Sequence, residues 1–400
     1  MSIMNTIDTI IARFESEGKH VLARALDRTK KLTIKEYSQS LFLYQPSSEE
    51  IEPELTEAFL YEFRKQGLTE IQAQECLGQL ISQRSLQCAH HVGVVQSSRM
   101  LCIDWLTSLG LTENEWYMVG AFSGVPFSNS SRPGRLSFGG KEMNLVPKTY
   151  QDALVFAAKI PNKTLEQWRN IPDSLRQALP SPVLDGSFSH WALSILAGIT
   201  KKVLQKDKVL YFDVNHVVTR YIISILKKND RQHPIYKILL EPKTQDSILK
   251  KLGTQLHFFY STYDKGKYQK QESLYVDGMG FRGEYNYHAC DRDQLISALE
   301  SGNLCPATFL TFTALSCLNQ FQCFGSFSQV EYLTKFRECW SSLPFLNKYE
   351  PLLVPVDTLT TAMFPSDPLV SPIDVFLGEK ELPGNENDIL GEYYKTIWRD

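Results

Sequence analysis

The chain has 400 residues, of which 43% are hydrophobic, 22% charged and 12% aromatic, a composition that supports a large core and excludes extended disorder. Lys and Arg total 42 against 45 Asp and Glu, a net charge of −3, and the basic residues are scattered in pairs such as Lys201-Lys202, Lys227-Lys228 and Lys250-Lys251, so no nucleic-acid partner is expected. No run approaches the roughly 18 apolar residues of a membrane span, and the first twenty residues alternate apolar with charged side chains, so a soluble cytoplasmic protein with no membrane partner is expected.

Residues 1–84 read as helical throughout, an amino-terminal layer. Leu55, Phe59, Leu60 and Phe63 make one apolar face, and Ile71, Cys76, Leu77, Leu80 and Ile81 make another. Thr69-Glu70 and Ser47-Ser48-Glu49-Glu50 are start signals, and Pro46 with Pro53 marks a boundary.

From Ser85 the rhythm becomes short apolar runs alternating with helical patterns, the sign of βαβ units and a parallel sheet. Strands are predicted at Leu86 to Cys88, Trp116 to Phe122, Val209 to Asp213, Gln322 to Gly325 and Leu352 to Val356. Helices are predicted at Gln96 to Leu109, Ser189 to Gln205, Val217 to Lys228 and Ser328 to Trp340. Residues 85–356 form the core in this reading, with an insertion over 242–302 and a surface-wrapping tail over 357–400. Within the insertion, His257 to Tyr260 and Leu274 to Val276 read as antiparallel strands, Asp277-Gly278 as a hairpin turn, and Asp291 with Gln294 as a helix cap. The tail ends in a short helix near Tyr393 and Trp398. The fold class is therefore α/β: a Rossmann-like, mostly parallel sheet flanked by helices, with a helical amino-terminal layer and a small inserted hairpin and helix subdomain.

Four clusters fall at predicted strand ends, where open α/β sheets bind ligands. The first is His90 and His91, then Gly93, Ser97, Ser98 and Arg99 at a helix start; it could hold a phosphate, a carboxylate or an adenylate, or the histidines could simply bond backbone. The second is the loop Ser123 to Gly140, with Asn129, Arg132 and Arg135; arginine forks suit carboxylate or phosphate, unless local acids already pair them. In the third, Asp213 ends a strand before Asn215, His216 and Arg220, as a ligand for an amine or ribose or as an ordinary helix cap. The fourth is Gly325, Ser326, Gln329 and Tyr332, where Ser328 with Glu331 also has capping-box spacing. No metal site is expected: His288 and Cys290 lack a second pair nearby, and eight cysteines without C-x-x-C spacing read as buried, reduced thiols. There is no Gly-x-Ser-x-Gly elbow, no Walker loop and no Gly-x-Gly-x-x-Gly after the first strand.

The order of these clusters resembles the family of bacillithiol-biosynthesis cysteine-adding enzymes. Ala89 to Gly93 stands where that family has a Gly-Gln-Gln-Pro-Gly turn, the Ser123 to Arg135 loop where it has an acidic loop, and YFDVNHVVTRYI around Asp213 where it has a strand ending in Asp. HFFY at His257, the Asp277-Gly278 hairpin, the Asp291 helix and GSFSQVEY from Gly325 to Tyr332 follow in the family's order. The likeness covers about residues 85–356 and implies a Rossmann-like core with its site above the strand ends.

The leading expectation is a biosynthetic ligase or transferase that forms an amide, thioether or related bond on a small polar acid or amine. His90 or His91 would be the general base, Arg99, Arg132 and Arg135 would hold an anion, Asp213 would orient an amine or ribose, and Ser326 with Gln329 would close the pocket. The cofactor is left open, a nucleotide being one that strand ends accept; partners are a small-molecule substrate and a second copy of the chain in a homodimer. The alternatives are a catalytically inactive ligand- or protein-binding scaffold and a glycosyl or nucleotidyl transferase.

Overall fold

The computed structural model describes residues 7–46, 50–95, 97–266, 268–349, 354–359, 371–381 and 384–394. In chain order, α1 (Ile7–Ser16), α2 (His20–Thr29), α3 (Ile34–Ser40), α4 (Pro53–Lys65) and α5 (Glu70–Gln83) precede β1 (Ser85–Gln87). α6 (Ser98–Ser108) leads to β2 (Tyr117–Ala121), followed by a hairpin of β3 (Arg135–Phe138) and β4 (Lys141–Asn144). α7 (Asn162–Arg169), α8 (Asp173–Ala178) and α9 (Phe188–Leu204) lead to β5 (Val209–Asp213), which runs directly into α10 (Val214–Lys228). α11 (Pro234–Leu240) and α12 (Pro242–Leu252) introduce β6 (His257–Lys265), β7 (Tyr268–Val276), β8 (Gly280–Arg282), β9 (Tyr287–Ala289), α13 (Arg292–Glu300) and β10 (Leu304–Pro306). α14 (Thr308–Phe312) continues as a π-helical segment, Thr313–Leu318, toward β11 (Gln322–Phe324) and α15 (Phe327–Ser341), with α16 (Pro372–Phe376) and α17 (Leu390–Tyr394) after them.

The protein is a mixed α/β structure around a four-stranded parallel sheet of order β11-β1-β2-β5. Every residue of these strands is buried, as expected when helices cover both faces. Successive side chains point to opposite faces, so Tyr117, Val119, Ala121, Val209 and Tyr211 enter one core with α9. Leu86, Met118, Leu210 and Phe212 enter the other with α4, α5 and α10.

The amino-terminal helices divide between two cores. α4 and α5 pack on the sheet, whereas Phe14, Leu22 and Leu26 share a core with Leu106 of α6, Phe324 of β11 and Val330 of α15. Thr33 and Thr69 close capping boxes with Glu36 and Gln72, and Pro53 opens α4. Ile71 departs from the expected apolar face: it is 73% exposed, while Cys76, Leu77 and Leu80 are buried. Of the other start signal, residues 47–49 lie outside the described chain.

The insertion is larger than its sequence signature. β6 and β7 run nine residues each, and β10, beyond position 302, pairs with β6 to complete a five-stranded antiparallel sheet of order β10-β6-β7-β8-β9. The Asp277 carboxylate accepts the Met279 and Gly280 amides at 3.1 and 2.9 Å, and Gly278 takes a φ of +86° to make the turn. Asp291 caps α13 through the Gln294 amide, as its spacing predicts. α15 is capped by Ser326, not Ser328, because the strand ends earlier than expected. Residues 352 and 353 of the predicted fifth strand lie outside the described chain and 354–356 form no strand, while Ile373 and Phe376 of the tail are buried beside α9. Trp398 also lies outside the described residues.

The eight cysteines are free thiols, and among the described residues no helix is long and apolar enough to cross a membrane. The close crossing of α3 over the end of α6 depends on Gly110, where a Cβ would lie 2.8 Å from the Ser38 carbonyl carbon. Gly110→Ala is therefore expected to destabilise the fold by about 1–3 kcal/mol through overpacking, read as a lower urea midpoint at unchanged m-value.

Candidate functional site

The four strand-end clusters have different fates. His90 lies in the interior, 0% exposed, with Nε2 2.8 Å from Asp104 Oδ1. That carboxylate also accepts the Tyr117 and Tyr211 hydroxyls, each at 2.6 Å, which makes it the centre of a sealed polar network under the sheet. A base in that position cannot reach a substrate, so His90 is structural here. His91 is half-buried and extends β1 by a single bridge to Phe122; desolvation lowers its imidazole pKa, opposed by a hydrogen bond to Asn129.

The chain itself fills the turn beyond His91. The Val94 amide donates to the Pro133 carbonyl at 3.1 Å, and a Cβ on Gly93 would meet Pro133 Cα at 3.0 Å, so Gly93 admits a neighbouring loop where a ligand was expected. Ser97 caps α6 and Arg99 is exposed beside it, while Ser98 opens the helix. Asn129 accepts from the amide and hydroxyl of Ser131, both at 2.9 Å, which shapes the loop.

Arg132 and Arg135 both pair with Glu142, at 2.7 and 3.0 Å. The second half of the predicted loop is the β3–β4 hairpin, whose turn at Gly139 and Gly140 brings Glu142 back across the arginines. They are thus committed to a local acid. At the end of β11, Gly325 bridges Leu359, Gln329 folds back onto the Cys323 carbonyl at 3.2 Å, and Tyr332 packs against Phe312 and Phe336. This fourth turn is closed by protein.

The third cluster is open on one side. Asp213, fully buried at the end of β5, accepts the Ser123 hydroxyl at 2.8 Å and the amides of Asn215 and His216 at 3.0 and 3.3 Å. Asn215 locks the same junction: its Oδ1 takes the amides of Ser123 and Gly124, and its Nδ2 donates to the Pro306 carbonyl at 2.9 Å. Ser123 bonds the carboxylate and not an imidazole, so it is not an activated nucleophile.

His216, one turn into α10, places Nδ1 2.9 Å from Asp213 Oδ2. Both atoms lack an aligned hydrogen bond, so the contact is close but bent, as acid–base pairs often are before a ligand draws them tight. The imidazole packs against Phe156 with ring centroids 4.3 Å apart and planes tilted by 35°. Burial pushes the Asp213 carboxyl up, but His216, Ser123 and Lys65 outweigh it and hold the pKa below the ordinary aspartate value.

His216 opens onto a cavity of about 630 Å³, walled by Glu62 and Lys65 of α4, Phe156 and Lys159, Arg220 of α10, and residues 299–302. Glu62 is 0% exposed; burial pushes its carboxyl pKa up, with Lys65 the chief opposing influence. Two acids of opposite tendency thus flank one imidazole, an arrangement found where acid and base roles are divided. His216 and Arg220 were visible beside Asp213 in sequence. Glu62, Lys65 and Lys159 were not singled out, although a glutamate one turn after Phe59 and next to Phe63, both buried, interrupts an apolar face and is itself a signal.

Among the described residues no group of three or more His, Cys, Asp or Glu side chains is placed to hold a metal ion. No protein-family model matches the chain, and no curated protein matches it.

Two outcomes test the junction. Asn215→Ala leaves the amides of Ser123 and Gly124 buried without their acceptor and is expected to cost about 1–3 kcal/mol, measured by chemical denaturation. Because the Asp213 pKa is depressed on folding, its carboxylate adds stability above the unfolded value near pH ~4, and that contribution is lost as pH falls through the folded value. Asp213→Asn should therefore flatten the acid limb of unfolding free energy against pH; an acid limb identical to that of the unsubstituted protein would show that the carboxylate is not held in this way.

Proposed function

We propose that the chain is an enzyme with a Rossmann-like core that performs acid–base chemistry on a small polar molecule in the cavity beyond β5. The observation that carries this reading is His216, braced by the buried Asp213 and facing the same cavity as the buried Glu62. Nδ1 of His216 is turned to the carboxylate, which leaves Nε2 to act on a ligand. Nε2 takes the proton of an incoming amine, hydroxyl or thiol as that atom bonds to an electrophilic carbon. Glu62, favoured in its neutral form, gives a proton to the group displaced, so the step balances as a substitution. Asp213 steadies the imidazolium that forms.

The resemblance to the cysteine-adding enzymes of bacillithiol biosynthesis supports a bond-forming reaction, a ligase or transferase on a small amine or acid. The base in this proposal is on α10, not in the His90-His91 turn. A cytoplasmic small-molecule pathway suits it.

The test begins with a thermal-shift screen of small polar metabolites, nucleotide sugars and ATP among them, since a ligand raises the melting temperature by mass action. A ligand so found should be consumed by the unsubstituted protein and turned over about 100-fold or more slowly by His216→Ala. A ligand that binds and is never consumed identifies a binding scaffold, and turnover unchanged in His216→Ala rejects the assignment. Glu62→Gln separates structure from chemistry. A raised carboxyl pKa means that folding favours the protonated form and that stability is lost as pH rises, so the amide should hold or raise the melting temperature at pH 7 while it lowers turnover.

A further inference from the structure

Four cationic side chains wall the cavity: Lys65, Lys159, Arg220 and Lys227. Lys227 is neutralised by Glu300 at 2.6 Å. Among the described residues Lys65 pairs with Glu62 alone, 3.6 Å away, and burial disfavours the charged form of that acid. The Arg220 guanidinium carbon lies over the Tyr61 ring, 3.4 Å from its centroid, a cation–π contact that does not neutralise the charge. Neither Arg220 nor Lys159 forms a carboxylate pair among the described residues. The cavity therefore carries an excess of positive charge contributed by α4, by α10 and by the segment before α7.

A single carboxylate would be matched by one planar fork, whereas cations arriving from separate elements suit an oxyanion with acceptors in several directions. The wall adds two features of the same sense. Ser187, the N-cap of the seventeen-residue α9, lines the cavity, and its backbone bridge to Lys159 holds that lysine beside the helix start. Glu62 belongs to the cavity wall, and its buried Oε2 makes no hydrogen bond, with Lys65 Nζ 3.6 Å away; in its neutral form the carboxyl offers a proton to an anionic oxygen.

From this we infer that the substrate is a phosphorylated small molecule whose phosphoryl group is held by Lys65, Lys159 and Arg220 at the amino end of α9. The inference rests on the proposed function for where the reacting atom lies, next to His216, and adds the class of substrate.

Isothermal titration with inorganic phosphate, and separately with malonate as a dicarboxylate of like charge, tests it on the full chain. Lys159 and Arg220 are exposed, so Lys159→Gln/Arg220→Gln should fold normally, as circular dichroism would verify. Phosphate is expected to bind the unsubstituted protein and His216→Ala alike, to bind the double variant about 10-fold or more weakly, and to bind more tightly than malonate. Phosphate affinity unchanged in the double variant, no phosphate binding at all, or malonate binding as tightly as phosphate would overturn the inference. Phosphate binding that behaves as expected alongside unchanged turnover in His216→Ala would sink only the catalytic reading.

Discussion

One carboxylate holds the junction of β2, β5 and α10 together. Asp213 ends β5, caps α10 and takes the Ser123 hydroxyl from the segment after β2, so it fixes where two parallel strands stop and where the helix begins. Asn215 extends the junction to the Pro306 carbonyl of β10, which attaches the antiparallel sheet to the parallel one. An ionised group so deeply buried needs compensation: Oδ1 accepts the Ser123 hydroxyl and two amides, and Oδ2 faces His216 Nδ1 at 2.9 Å. The candidate base is thus positioned by the interaction that organises the fold around it.

The contrast between Asp213 and Glu62 gives the cavity its chemistry. Both are buried, but the hydroxyl and imidazole beside the first outweigh its desolvation and hold its pKa down, while burial outweighs Lys65 at the second and pushes its pKa up. Around them the cationic wall is only partly neutralised, so the electrostatics suit an anionic ligand and a proton transfer within the same space. The Phe156 ring packs against the imidazole on one side.

The other strand ends are closed by the chain's own loops. Pro133 sits against Gly93, Leu359 bridges Gly325, and Gln329 covers the Cys323 carbonyl. The general rule places ligand sites at the carboxyl ends of parallel strands, and a site also needs empty space above it. Residues of the right chemical type stand at all four ends; among the described residues the cavity of about 630 Å³ lies beside the β5 end, where His216 lines it.

The sequence determined what depends on neighbours a few residues away. The span of β5, the caps at Thr69, Asp213 and Asp291, the Asp277-Gly278 turn and the apolar face of α4 were legible because hydrogen bonds and side-chain periodicity act over one or two turns of chain. Tertiary structure decided which polar residues were buried and which were free. Asp104 lies one helix away from His90, Glu142 returns to Arg132 and Arg135 through a hairpin, and Glu62 meets His216 only when α4 packs on α10. Solvation and electrostatic pairing are set by distance in space, so the same histidine or arginine can be a sealed structural group or a reactive one, and the packing of distant segments makes the choice.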